Sequence, residues 1–276
     1  MATLQTQNFK LSEFLSIDSD EDKYRYFNKF HAKVGSSFII RQFRGMPLFI
    51  EESENLMKVR YRETGRFIKD WLDSPSKPIF QDYTYDPVDD DEELFNTFAH
   101  FQHDYYPKKE FNSIDIQEQL QVILDHIDIL CDGKGKEYLY RWLYNLATNK
   151  TEKPTVALTF IGRPGCGKTI FWKLFGDKVL GKSLWRSMMN CDKLFEKHST
   201  VYEKSRLVVL EEVQMRDSKK YTEELKNNIA NIDMEIRKMH RSGQQIRNYS
   251  AHVFISNNNI PFVIQKGDRR HCVYEC

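Results

Sequence analysis

Val156-Ala157-Leu158-Thr159-Phe160-Ile161-Gly162-Arg163-Pro164-Gly165-Cys166-Gly167-Lys168-Thr169 is the stretch on which the rest of the chain turns. A short apolar run leads into a glycine-rich turn that ends in Lys-Thr. Ile170 to Leu180 then supplies enough apolar residues for a buried helix. Strand, loop and helix in that order are the context a phosphate-binding P-loop needs. The glycines let consecutive backbone N–H groups turn inward around a phosphate chain. The helix that follows presents unpaired donors and a partial positive charge at its N-terminus. Gly162, Arg163, Pro164, Gly165, Cys166, Gly167, Lys168 and Thr169 form the expected nucleotide loop, with Lys168 placed for the β- and γ-phosphates and the Thr169 hydroxyl for Mg2+.

Such a loop alone predicts only nucleotide binding. Hydrolysis also asks for an acidic pair at the end of a neighbouring strand. Arg206-Leu207-Val208-Val209-Leu210-Glu211-Glu212 supplies it: apolar β-formers, then two carboxylates, as for a buried parallel strand that ends at the ligand edge of a sheet. Glu211 is assigned to the metal, directly or through water, and Glu212 as the base that orients the attacking water. Ala251-His252-Val253-Phe254-Ile255-Ser256-Asn257 reads as a third strand, whose terminal Asn257 can bond both phosphate and water. Asn258 and Asn259 read as the turn that follows. Arg269 and Arg270 are candidates for a guanidinium that stabilises charge on the γ-phosphate, against an ordinary surface ion-pair role for either.

Outward from this core, the 276 residues suffice for one or two domains with packed cores. A net charge of +1 requires any nucleic-acid surface to be a local patch. Five scattered cysteines without CxxC spacing indicate neither a disulfide framework nor a zinc site, and fit a reducing compartment. No apolar run approaches the ~18 residues of a membrane span, and no signal pattern opens the chain, so the reading is a soluble intracellular protein without a membrane partner.

Residues 1–21 read as a polar, flexible arm with one short helix at Leu11–Leu15. Three β-like runs follow, Ser37–Arg41, Pro47–Ile50 and Leu56–Tyr61, then a helix from Gly65 to Leu72 that stops before Pro75. They suggest a small α+β module over residues 1–95 with nothing catalytic in it. Asp86 to Glu93 is read as a turn and solvated linker. Apolar residues at helical spacing from Ile114 to Leu130 and from Tyr138 to Leu146 predict a two-helix collar within residues 96–152, in which His126 reads as structural. Residues 153–276 would form the P-loop core, an α/β fold with a parallel sheet flanked by helices. Asp233 to Asn248 alternates around a basic, glycine-containing tip and predicts a β-hairpin. Its Lys238, His240 and Arg241 are either ordinary surface charge or a grip on a phosphate backbone. Cys272 to Cys276 looks like an opening strand, from which the sheet is expected to lack a completing element or the sequence to be a fragment.

In this order, the loop Gly162–Thr169, the Glu211-Glu212 strand, the hairpin around Lys238–Arg241 and the strand ending at Asn257 resemble a superfamily 3 helicase. The Leu225-Lys226 helix, Asp268-Arg269-Arg270, and the upstream Trp71-Leu72, Pro78 and Tyr85-Asp86-Pro87 make the likeness closest to the helicase part of poxvirus-type primase-helicases of viruses and phages. The resemblance implies a modified AAA+ ATPase assembled as a homo-oligomeric ring, usually a hexamer. ATP with Mg2+ would lie between subunits, and the hairpin tips would face single-stranded DNA in a central channel. It also implies that Arg269 or Arg270 acts in trans on a neighbouring subunit. RNA as the substrate, or a nucleotide-dependent assembly module that does not unwind, are the alternatives.

Overall fold

The computed structural model describes residues 7–44, 47–88, 91–98, 100–106, 114–189, 191–194, 201–212, 215–237, 243–257 and 267–276. Two compact units divide the chain, residues 1–100 and 101–276.

The first unit contains helices α1 (Leu11–Leu15), α2 (Asp20–Asn28), α3 (Glu54–Arg60) and α4 (Phe67–Asp73). Its main sheet joins β1 (His31–Val34), β2 (Ser37–Phe43), β3 (Pro47–Glu52) and β4 (Ile79–Phe80) in the order β3-β2-β1-β4, with only the β1–β4 pair parallel. A small parallel pair joins β5 (Asp82–Thr84) to β6 (Leu94–Asn96). Two sequence expectations change here. The arm read over residues 1–21 instead runs into α2, where Asp20, Glu21 and Asp22 form a first turn whose carboxylates favour the helix N-terminus and Ser19 caps the Asp22 N–H. Phe14 is buried, and Phe9 packs edge-on against Phe27, His31 and Tyr61. The run Leu56–Tyr61, read as a strand, is helix α3 with its following turn. Ser53 caps it, Lys58 bonds Glu54 one turn back, and Met57 and Tyr61 share the buried face while Leu56 and Val59 lie exposed. A burial period of four overrode the alternation of apolar Met57, Val59 and Tyr61 with polar Lys58 and Arg60.

The second unit opens on a 3-10 turn at Gln102–Tyr105 and carries α5 (Ile114–Leu130) and α6 (Lys136–Thr148), matching the spacing read from sequence. Its sheet contains β7 (Ala157–Ile161), β8 (Trp185–Met188), β9 (Leu207–Leu210), β12 (Ala251–Ser256) and β13 (His271–Glu275). All pairings are parallel, in the order β13-β7-β12-β9-β8. Between β9 and β12 run α9 (Met215–Ala230) and an antiparallel hairpin of β10 (Asp233–Arg237) and β11 (Gly243–Arg247). Among the described residues, α7 (Lys168–Phe175) follows β7 and the short α8 (Cys191–Leu194) follows β8. A π-turn at Gly176–Leu180 continues α7.

This is an α/β fold whose central strands read as continuous apolar runs because helices cover both faces. On one face Trp172 of α7 lies between Phe160 and Trp142, at ring distances of 5.5 and 5.8 Å. On the other, Leu225 and Ile229 of α9 join Val208, Leu210 and Phe254 in one core cluster. Trp172 is fully buried, so its truncation to alanine would cost about 3–5 kcal/mol. Among the described residues, no helix is long and apolar enough to cross a membrane.

Candidate functional site

Parallel strands send their C-terminal ends to one edge, so the loops after β7, β8, β9 and β12 emerge together. There a cleft of about 280 Å3 is lined by Gly165, Gly167, Lys168 and Thr169, by Glu211 and Glu212, and by Ser256 and Asn257, with Pro164, Ile170 and Ile255 completing it. Residues more than forty positions apart in sequence thus share one concavity. β12 intervenes between β7 and β9, so the acidic strand is one strand removed from the loop strand, not its immediate neighbour.

Gly165 and Gly167 adopt φ of +89° and +90°, a region that residues with a Cβ enter only under strain. The loop then closes onto α7, for which Gly167 is the N-cap. The Lys168 ammonium is folded back on its own loop and donates to the carbonyls of Gly162 at 2.9 Å and Arg163 at 3.0 Å, and to Cys166 Sγ at 3.2 Å. Across the cleft, the Thr169 hydroxyl donates to Glu211 Oε2 at 2.9 Å. Ser187, at the end of β8, donates to the other oxygen of the same carboxylate. Glu212 departs from the left-handed rule for non-glycine residues, with φ of +57°. That conformation carries a cost of order 1 kcal/mol, and such positions cluster where geometry serves function. Asn257 is exposed immediately beyond β12.

The structure therefore unites Lys168, Thr169, Glu211, Glu212 and Asn257. It does not bring Arg269 and Arg270 to them. Those arginines precede β13, whose His271 pairs with Ala157 at the start of β7, so they stand at the opposite edge of the sheet. Four residue steps of strand, about 13 Å, separate the two edges. Arg270 is bonded to Asp268 at 3.2 Å, and its carbonyl accepts the Ala157 N–H. Lys238, His240 and Arg241 lie outside the described residues, though the hairpin strands on either side of them pair in register.

Two contacts were not read from the sequence. Ser187 carries no motif. His126, read as structural, sits on α5 with Nε2 3.2 Å from the Gly167 carbonyl. A separation of 41 residues and a helical spacing that marks it only as part of an amphipathic face left no local signal of that meeting. Cys166 and Cys276 are free thiols near the loop, and among the described residues no cluster of His, Cys, Asp and Glu could hold a metal by itself. Burial pushes the Cys276 thiol up to about 12.

A family of unknown function, DUF5906, matches residues 160–270, from the end of β7 to the start of β13. Among curated proteins, none matches the sequence. Among solved structures, the chain is similar to the apo C-terminal region of NrS-1, at 19% identity and a TM-score of 0.70, over 91% of this chain and 60% of that one. A second structure of that region, its A form, gives 20% identity and a TM-score of 0.68 over the same shares. The present chain thus spans about 60% of the length of the chains it is similar to. At this identity the likeness establishes a shared fold.

Proposed function

We propose that this chain is an ATP-hydrolysing motor of the superfamily 3 helicase type, acting on single-stranded DNA in the replication of a viral or mobile-element genome. The observation that carries the reading is the single cleft in which the Lys168 loop faces Glu211, Glu212 and Asn257, with Thr169 bonded directly to Glu211. Glycine-freed N–H groups, a helix N-terminus and an ammonium on one side suit a phosphate chain.

The Thr169 hydroxyl and Glu211 carboxylate are hard oxygen donors already within bonding distance, so these two residues would hold Mg2+. Bound there, the ion would offset charge on the β- and γ-phosphates. Lys168 exchanges its loop acceptors for the terminal phosphate oxygens. Glu212, exposed beside the cleft, orients and deprotonates the water. Asn257 bonds the γ-phosphate and registers its loss. Arg269, which is exposed, acts on the cleft of a second copy in a ring. The hairpin tip at Lys238, His240 and Arg241 contacts the DNA backbone without reading sequence.

ATP turnover and strand displacement by wild type and Lys168→Ala test the reading. We expect displacement of a DNA duplex by the wild type, and a loss of turnover of about a hundredfold or more in the variant, as for removal of a principal charge-stabilising donor. Displacement of RNA only would change the substrate, and turnover without displacement would assign an assembly module. Turnover unaffected by Lys168→Ala would overturn the site.

A further inference from the structure

His126 belongs to α5, yet its imidazole is seated on the phosphate loop. Nε2 lies 3.2 Å from the carbonyl oxygen of Gly167, and a Cβ built on Gly167 would overlap the ring. The ring also leans on Phe171 in the first turn of α7, with centroids 6.3 Å apart. The same Gly167 carbonyl accepts the first helical bond, from Phe171 N–H at 3.2 Å. A carbonyl only accepts, so Nε2 carries the proton in this contact.

Planarity of the peptide makes the consequence specific. In a trans peptide the Gly167 C=O and the Lys168 N–H point in opposite directions in one plane. Two donors on that carbonyl therefore fix the direction of the Lys168 N–H, which projects from the N-terminus of α7 as one of its unpaired donors. We infer that His126 is a positioning residue for the phosphate loop: from α5 it holds the Gly167–Lys168 peptide so that the Lys168 N–H faces the bound anion. The inference rests on the proposed nucleotide reading for its ligand and on the contact itself for its geometry. It explains why position 167 is glycine twice over, since a side chain there meets both a left-handed φ and the imidazole.

The test uses the whole chain with His126→Ala and His126→Gln, whose side-chain amide keeps an N–H donor. A non-hydrolysable ATP analogue with Mg2+ is titrated, and steady-state turnover is measured beside it. His126→Ala should weaken analogue binding and raise KM about tenfold, the scale of one hydrogen bond, with kcat within about twofold. His126→Gln should recover most of the loss. In the ligand-free chain, amide exchange at Phe171, whose N–H the Gly167 carbonyl accepts, should quicken in the alanine variant and return towards wild type in the glutamine variant. Affinity within twofold of wild type in His126→Ala would overturn the inference. So would equal losses in both variants matched by a common fall in the unfolding midpoint, which would make the ring a packing wedge. Should the wild type bind no analogue, the nucleotide reading fails, and the exchange measurement still decides whether His126 holds the loop.

Discussion

The two edges of the five-stranded sheet use similar side chains to opposite ends. At the carboxyl edge, Thr169, Glu212 and Asn257 are exposed, and Glu211 meets hydroxyls from two other segments across an open cleft. Lys168 is buried there, but among the described residues its hydrogen bonds go to its own loop, at Gly162, Arg163 and Cys166. At the amino edge, Arg206 is wholly buried and its guanidinium is spent on fixed backbone. It donates to the carbonyls of Asn149, Glu152 and Tyr249 at 2.5, 2.5 and 2.9 Å. Beside it His252 contacts the Tyr202 hydroxyl at 3.1 Å, Asn228 donates to that hydroxyl, and Lys153 donates to the Asn228 carbonyl. A polar group whose partners come from rigid, separate segments holds the fold. One whose partners face it across a cleft is available for chemistry. The comparison tells the two apart more reliably than residue type does.

The largest expected effect lies at the amino edge. Arg206→Leu strips the donor from several carbonyls at once, and each unsatisfied buried acceptor costs about 1–3 kcal/mol. A loss of about 3–5 kcal/mol in urea unfolding is expected, with the proposed ATP turnover per folded molecule unchanged. A variant that keeps its stability would break the distinction, because Arg206 would then be as replaceable as a surface charge.

A smaller and opposite signature is expected across the sheet. Glu212→Gly relieves a left-handed φ and should stabilise the chain by about 0.5–1 kcal/mol, while the proposed ATP turnover should fall on the order of a hundredfold with the proposed base removed. Lowered stability would show that the Glu212 side chain holds the fold, and undiminished turnover would place the base elsewhere.

How much of this could be read in advance follows from where each signal resides. The loop, the acidic pair and Asn257 announce themselves because a parallel strand forces its polar terminus to follow directly on an apolar run. The helices α5 and α6 carry an unbroken apolar spacing. Leu56–Tyr61 failed because Met57, Val59 and Tyr61 alternate with polar residues in a run short enough to fit either period, and only burial of Met57 with Tyr61 decides it. Strand order was not legible either. Nothing local to Ala251–Ser256 says that it inserts between β7 and β9. The same holds for where Arg269 and Arg270 fall within one chain, since only the pairing of His271 with Ala157 puts them at the far edge of the sheet. His126 and Ser187 depend on two elements meeting, which composition does not encode.

Lys153 gives the finest test of the contrast, because it reports on pH alone. It is 8% exposed, and burial first, with the Arg206 charge second, lowers its ammonium from the ordinary 10.5 to about 7. Below about 7 both folded and unfolded chains carry the proton, and folding bears a constant penalty. Between 7 and 10.5 the unfolded chain binds a proton that the folded chain has shed, so this group makes stability rise with pH across that window. Lys153→Met keeps the stem, loses the bond to the Asn228 carbonyl and abolishes the titration. Urea unfolding of both chains at several pH values should show the variant ahead by about 1–2 kcal/mol near pH 7, since burying a charge costs more than one neutral hydrogen bond returns. The lead should shrink and then reverse as pH approaches 10, because the neutral amine keeps its bond to the carbonyl at no charge penalty. Parallel curves for the two proteins would mean that Lys153 reaches water in the folded state, and the amino edge would then lose its claim to be sealed.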